Sequence, residues 1–372
     1  MKVRKHASED ARAPERGREF GAAWSDEIST AVDAYLRHFD AIGIPPEDVR
    51  TTGMDCHEAL LAWCPELAGE LEQIAAGARI PLAHVAILNA RTEILGTKPP
   101  PAEGECSTAV RLETPVVGFQ TWDWNADLTP TGVVWHYRTD AGRRVSTFTE
   151  PGILAKIGVN DSGLSLLFNI LHHLDDGGGA GVPVHAIARR ILDAAGDLTE
   201  AVEIARSATA AASSALTVVA TTPEADALTL EVTPAGVGVV RHLADGWLLH
   251  TNHLLDPKLA VADNTPPTST TTARLAHLES VVGPTVDVGS LASLARGLCI
   301  GGDGGGGEGG DGDGGGPAGG GGASLREAPI CVAADPAHST TERRETLLTV
   351  RIDATAAQLD YWPGRPSEVP GV

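Results

Sequence analysis

The chain of 372 residues carries 28 Lys and Arg against 49 Asp and Glu, a formal charge of −21, and 42% of it is hydrophobic. So acidic a balance argues against nucleic acid or an anionic membrane as the main partner, because binding phosphate requires clustered Lys and Arg. The length suits one large domain or two small ones, and a substantial core can form.

The first twenty residues, MKVRKHASEDARAPERGREF, read as a frayed polar start without an apolar signal segment. No later stretch offers about 18 uninterrupted apolar residues for a membrane span. Apolar residues at helical spacing then run through Phe20, Trp24, Ile28, Val32, Tyr35 and Leu36 towards Gly43. A second helix is expected around Ala59–Ala75 and a third from Pro81. Thr97–Glu105 (TKPPPAEGE) reads as an exposed linker, after which the chain turns β-rich.

Cys106–Leu112 and Val116–Trp124 form an expected hairpin, turned at Glu113–Pro115. Further strands are expected at Val133–Tyr137, Val145–Thr149, Ala155–Val159 and Leu164–Ile170, then helices at Pro183–Ala194 and Leu198–Ser207. Strands return at Leu216–Ala220, Leu228–Val232, Val237–Arg241 and Trp247–His250, followed by helices at Thr272–Val282 and Leu291–Leu298. Thr346–Ile352 and Gln358–Trp362 close the pattern, and this segregation points to layered α+β rather than a doubly wound parallel sheet.

Between Gly301 and Gly322 lie 16 of the 43 glycines and four acids, with almost no apolar side chain. Ordering such a segment costs roughly 1 to 2 kcal/mol per residue with no burial to offset it, so a disordered surface insertion is expected. Its GxGxxG at Gly302–Gly307 has no strand before it and no helix after it, which argues against a dinucleotide site.

Common catalytic signatures are missing: there is no GxSxG and no GxxxxGK[ST], and His57-Glu58 is followed by Leu61 where HExxH needs its second His. His172, His173, Asp175 and Asp176 read as a polar loop rather than a metal site. The cysteines at 56, 64, 106, 299 and 331 are an odd set with no CxxC pair, which fits neither a disulfide framework nor a zinc site and suggests a reducing, cytoplasmic setting. Cys106 stands apart, at the junction of linker and first β-strand. Were the Glu105–Cys106 bond cut, its thiol and its new α-amino group, which titrates at about 7.7 to 8.0, would make a minimal nucleophile and base on one residue. Position alone leaves an inert strand-edge cysteine equally open.

A set of motifs in fixed order weighs on this choice: Glu105-Cys106-Ser107-Thr108-Ala109, Gly118-Phe119-Gln120-Thr121-Trp122-Asp123-Trp124, Val159-Asn160-Asp161-Ser162-Gly163-Leu164 with Phe168-Asn169, Gly181-Val182-Pro183-Val184-His185 and His250-Thr251-Asn252-His253. Flanked by Arg16-Gly17-Arg18-Glu19-Phe20-Gly21 and Tyr361-Trp362-Pro363-Gly364-Arg365-Pro366, they resemble the acyl-coenzyme A:6-aminopenicillanic acid (isopenicillin N) acyltransferase family, which are cysteine N-terminal-nucleophile hydrolases. The resemblance implies a four-layer αββα sandwich and a precursor that cuts itself before the cysteine. It implies a helical fragment 1–105 and a catalytic fragment 106–372, paired as a heterodimer in one globular domain.

By the same resemblance, Cys106 is the nucleophile for self-cleavage and for substrate, and Asp123 belongs to the family's Trp-Asp pair. Asn252 matches the oxyanion donor, and Arg343, or failing it Arg344, matches a late arginine. Thr121, Trp122, Trp124 and Asn169 are expected around the substrate. The sequence departs from the family at Glu105, usually Gly, and at Thr121, usually Asn. The implied chemistry transfers an acyl group from an amide or acyl-coenzyme A to an amine or water through a Cys106 thioester, with no resident cofactor or metal. A non-catalytic scaffold with the same fold is the alternative.

Overall fold

The computed structural model describes residues 1–100, 106–299, 330–333, 339–341 and 343–371. Glu105 and the Gly-rich stretch 301–322 lie outside the described residues. After β1 (Lys2–Ala7) the chain runs through α1 (Ala13–Ala23), α2 (Ser25–Ala41), α3 (Pro46–Trp63), α4 (Pro65–Ala78), α5 (Leu82–Asn89) and α6 (Arg91–Leu95). Strands β2 (Ser107–Arg111), β3 (Val117–Trp124), β4 (Thr131–Arg138), β5 (Arg144–Thr149), β6 (Ile157–Asn160) and β7 (Leu164–Ile170) precede α7 (Val184–Ala194) and α8 (Leu198–Ser207). Then come β8 (Ser214–Ala220), β9 (Asp226–Thr233), β10 (Gly236–Val240), β11 (Leu243–Ala244) and β12 (Trp247–His250). Helices α9 (Thr271–Val281) and α10 (Leu291–Cys299) and strands β13 (Glu345–Asp353) and β14 (Gln358–Pro363) complete the fold.

Two sheets stack face to face. One has eight strands in the order β1-β4-β5-β6-β7-β8-β9-β10, and the other six in the order β11-β12-β2-β3-β13-β14. Helices α7 and α8 cover the outer face of the first, and α9 and α10 that of the second. The fold is therefore α+β, the expected four-layer αββα sandwich. β3 and β8 are buried along their whole lengths, as strands covered on both faces must be. Along β3, Trp122 and Trp124 point into the core between the sheets, while Phe119 points into the core beneath α9 and α10. This is the alternation expected of a pleated strand.

Three expectations at the N-terminal end are corrected. The supposed frayed start is β1, which pairs in parallel with β4, Lys2 opposite Thr131 and Ala7 opposite His136. As an edge strand with no fully buried residue, it lacks the apolar alternation that would announce a strand. The helix expected through Phe20–Leu36 is two helices, broken where Trp24 leaves helical geometry at φ −118° and ψ 18°. The helix expected at Ala59–Ala75 is likewise split, since Cys64 adopts φ −144° and ψ 83° ahead of Pro65, the extended geometry that a following proline imposes.

The Arg16–Gly21 motif also acquires a physical reason. A Cβ at Gly17 would lie 2.4 Å from the Glu70 carbonyl oxygen, and one at Gly21 would lie 2.1 Å from that of Ile74, so only glycine lets α1 press against α4. Arg16, between them in the packing, donates from Nε and Nη2 to both carboxylate oxygens of Glu70 at 2.9 and 2.6 Å.

Candidate active site

Cys106 enters the six-stranded sheet immediately before β2 and is 3% exposed. Its carbonyl oxygen is held twice, by Asn169 Nδ2 at 3.0 Å and by Arg274 Nη1 at 2.8 Å. Asn169 is fixed in turn by Thr108 Oγ1, which donates to its Oδ1 at 2.7 Å, and by Gln120 Nε2 at 3.2 Å. Gln120 also donates to the Phe168 carbonyl at 2.6 Å, so β2, β3 and β7 are laced together behind the cysteine. Burial, followed by the nearby Asp123 charge, pushes the thiol up to about 12, although the Asp123 backbone N–H donates to it. Buried Cys56 is also pushed up to about 12, by burial first.

Asp123 sits at the end of β3 and accepts from Thr346 Oγ1 at 2.7 Å, tying the hairpin to β13. Asn252 lies just past β12 on a turn fixed by Glu231, which accepts from the backbone N–H groups of Leu255 at 2.7 Å and Asp256 at 2.9 Å and bonds His250 Nε2 at 2.9 Å. Its Nδ2 donates to the Ile170 carbonyl at 2.8 Å, and its Oδ1 accepts from Arg274 Nη2 at 3.0 Å. Arg274 therefore joins Cys106 to Asn252 and adds a 2.7 Å bond to Ser107 Oγ. Sequence reasoning missed it, since an arginine in TTARLAHLESV carries no signal of facing inwards.

Beside this centre, at the ends of β3 and β7, lies a cavity of about 320 Å³. Its apolar lining includes Ile42, Leu95, Ile170 and Leu171, and Lys98, Asp176 and Arg344 contribute charge. The Arg344 guanidinium stacks over Trp124 at 4.8 Å from the ring centroid. Among the four residues expected around substrate, Trp124 lines this cavity, whereas Thr121, Trp122 and Asn169 are not among its lining residues. Thr121 accepts from the Ser107 N–H at 3.3 Å and donates to the Ile330 carbonyl at 2.8 Å, so it secures the strand. Arg343 is not among the lining residues; its backbone N–H bonds the Ser339 carbonyl at 2.9 Å. The polar loop closes on itself, His173 N–H donating to Asp176 Oδ2 at 2.9 Å and Asp175 N–H to His173 Nδ1 at 3.1 Å.

The family model described as acyl-coenzyme A:6-aminopenicillanic acid acyl-transferase matches residues 120–291. The 40 kDa form of acyl-coenzyme A:6-aminopenicillanic-acid-acyltransferase from Emericella nidulans is 28% identical over 253 residues, covering 65% of this chain and 67% of that protein. Over these residues the chain is similar to that acyltransferase family. Among solved structures, penicillin V acylase from Agrobacterium tumefaciens aligns over 69% of this chain and 83% of its own, at 13% identity and a TM-score of 0.35. The matched segment contains Asp123, Asn169, Asn252 and Arg274, and it begins on the strand that pairs with the one Cys106 leads into.

Proposed function

We propose that this enzyme cuts its own chain between Glu105 and Cys106 and then transfers acyl groups through a thioester on Cys106. The observation that best supports this reading is the clamp on Cys106, whose carbonyl is gripped by Asn169 and Arg274 while the Asp123 N–H meets its thiol. A strand-edge cysteine without a role has no need of such convergence. In the first act the thiol adds to the Glu105 carbonyl carbon and the C–N bond breaks towards the new α-amine. Water then hydrolyses the thioester, leaving the Glu105 carboxylate and a free N-terminal Cys106.

The second act uses the same sulfur. The α-amino group, titrating near 8, takes the thiol proton, and the sulfur attacks an amide or acyl-coenzyme A thioester. Donors that meet the developing oxyanion contribute roughly 3 to 4 kcal/mol each in acyl transfer. Asn252 fills this role once its amide turns from the Ile170 carbonyl to the substrate. An amine or water then accepts the acyl group. The cavity suits an apolar acyl group, with Arg344 rather than Arg343 among its charged contacts.

The two fragments stay together in this account. Strand β1 belongs to the first and pairs with β4 of the second, and Glu70 of the first is bridged to Arg189 of the second at 2.9 Å. Purified protein is expected to give two masses, for 105 and 267 residues, and Cys106→Ala one mass for 372. Substrates are found by screening acyl-coenzyme A and N-acyl amide panels. An uncut wild-type chain, inert to both panels, would favour the scaffold alternative.

A further inference from the structure

Self-cleavage raises a chemical difficulty that turnover does not. Before the cut the nitrogen of Cys106 is an amide, so the α-amine that serves the mature enzyme does not yet exist, and another group must accept the thiol proton. Lys156, in the loop before β6, is 1% exposed. Its Nζ sits 4.0 Å from the centroid of the Trp122 ring. The register pairs Ser107 with Thr121, so one step further places Trp122 directly across from Cys106, where side chains on one face of a ladder meet. Nζ is in ion contact with Glu150 yet has no partner in hydrogen-bonding geometry among the described residues.

We infer that Lys156 is the base of the self-cleavage step. This rests on the reading that the chain cuts itself at Cys106. The amine takes the thiol proton, the sulfur bonds to the Glu105 carbonyl carbon, and the resulting ammonium returns the proton to the departing nitrogen as the C–N bond breaks. Water then opens the thioester, and Lys156 ends as it began.

The surroundings favour a neutral amine. Burial, then the Arg91 charge, pushes Lys156 well below its ordinary range, while Cys106 pulls it upwards. Reciprocally, Lys156 draws the Cys106 thiol down. The groups facing it are Arg91 from α6, Glu150 from the turn after β5, Cys106 ahead of β2 and His185 from α7. Arg91 Nη1 already engages Glu150 at 2.7 Å, so the Glu150 carboxylate faces two cations and pairs one to one with Arg91 when the lysine gives up its proton, while Glu93, the other acid beside Arg91, is itself raised to about 7 by burial. Sequence reasoning passed over this residue, although a single lysine inside the apolar run ILAKIGV was its signal.

The test uses full-length Lys156→Ala and Lys156→Arg, with self-cleavage followed by intact mass and folding by circular dichroism. Both are expected to fold and to cleave at least about 100-fold more slowly than wild type, the usual range for losing a general base. Ethylamine should restore cleavage in Lys156→Ala, with a rate that rises with pH as the free amine fraction grows. Lys156→Arg keeps the charge but cannot surrender its proton, so it should stay uncut. Cleavage of either variant at the wild-type rate would overturn the assignment, and so would a folded Lys156→Ala that amine does not rescue. An uncut wild-type chain would instead sink the self-cleavage reading itself.

Discussion

Two buried charge clusters among the described residues are built differently. In the first, Arg16 and Arg189 grip Glu70, Arg189 also holds Asp193 at 2.9 Å, and Tyr137 donates to Asp193 at 2.6 Å. Two cations meet two carboxylates. Burial alone would raise Glu70, but Arg189 and Arg16 overcome it and hold the carboxyl below its ordinary range. In the second, Arg91 and Lys156 share Glu150, which also accepts from Thr129 Oγ1 at 2.7 Å, and Tyr35 meets Arg91. The matched cluster sits where α1 and α4 join α7. The mismatched one lies against Trp122, beside Cys106. Balanced burial serves as a fastening, and an unbalanced charge beside a nucleophile is where a proton can move.

The largest effect should come from breaking the matched cluster. Glu70→Met strands Arg16 and leaves Arg189 only Asp193, and is expected to cost about 3 to 5 kcal/mol in denaturant unfolding. Lys156→Met, equally buried, should cost under about 1 kcal/mol because Arg91 and Glu150 remain paired one to one. Equal losses from the two substitutions would erase the distinction. Arg274→Met removes the link between the Cys106 carbonyl and Asn252, and both cleavage and turnover should fall by about 100-fold with the fold intact by circular dichroism. An undiminished rate would show that the clamp only braces the strand.

A pH dependence sharpens the same contrast. Burial raises Glu93 to about 7, and its Oε1 accepts from the Val184 N–H at 2.8 Å. An acid whose folded value exceeds its unfolded one favours the folded state most at low pH, and that advantage fades as pH rises through about 4.5 towards 7. Between about pH 5 and pH 8 this group should withdraw on the order of 2 kcal/mol, which Glu93→Gln should abolish in denaturant titrations at each pH. Smallest of all, Arg344→Gln should raise KM about 10-fold for an accepted acyl donor, a loss near 1.4 kcal/mol. Arg343→Gln should change KM less than about 2-fold, and the reverse ranking would return the role to Arg343.

Much of the fold was legible because packing leaves a period in the chain. The hairpin from Cys106 to Trp124 and the helix Leu198–Ser207 are where alternation and helical spacing placed them. Edge strand β1 was not, since an exposed edge needs no apolar face, and the breaks at Trp24 and Cys64 interrupt runs whose periodicity continues across them. At the site, the change of composition at the linker drew attention to Cys106 but left an inert cysteine equally open, and the nucleophile's role came from the resemblance. Arg274 and Lys156 were not, because what distinguishes them is the contact they make across 168 residues of chain to the Cys106 carbonyl and across a sheet face to Trp122.

The most direct test of the account is the intact mass of the purified protein, followed by the N-terminal residue of its larger fragment. The account predicts a 267-residue chain that begins at Cys106, accompanied by a 105-residue partner. A single chain of 372 residues, or a cut elsewhere than before Cys106, would contradict it.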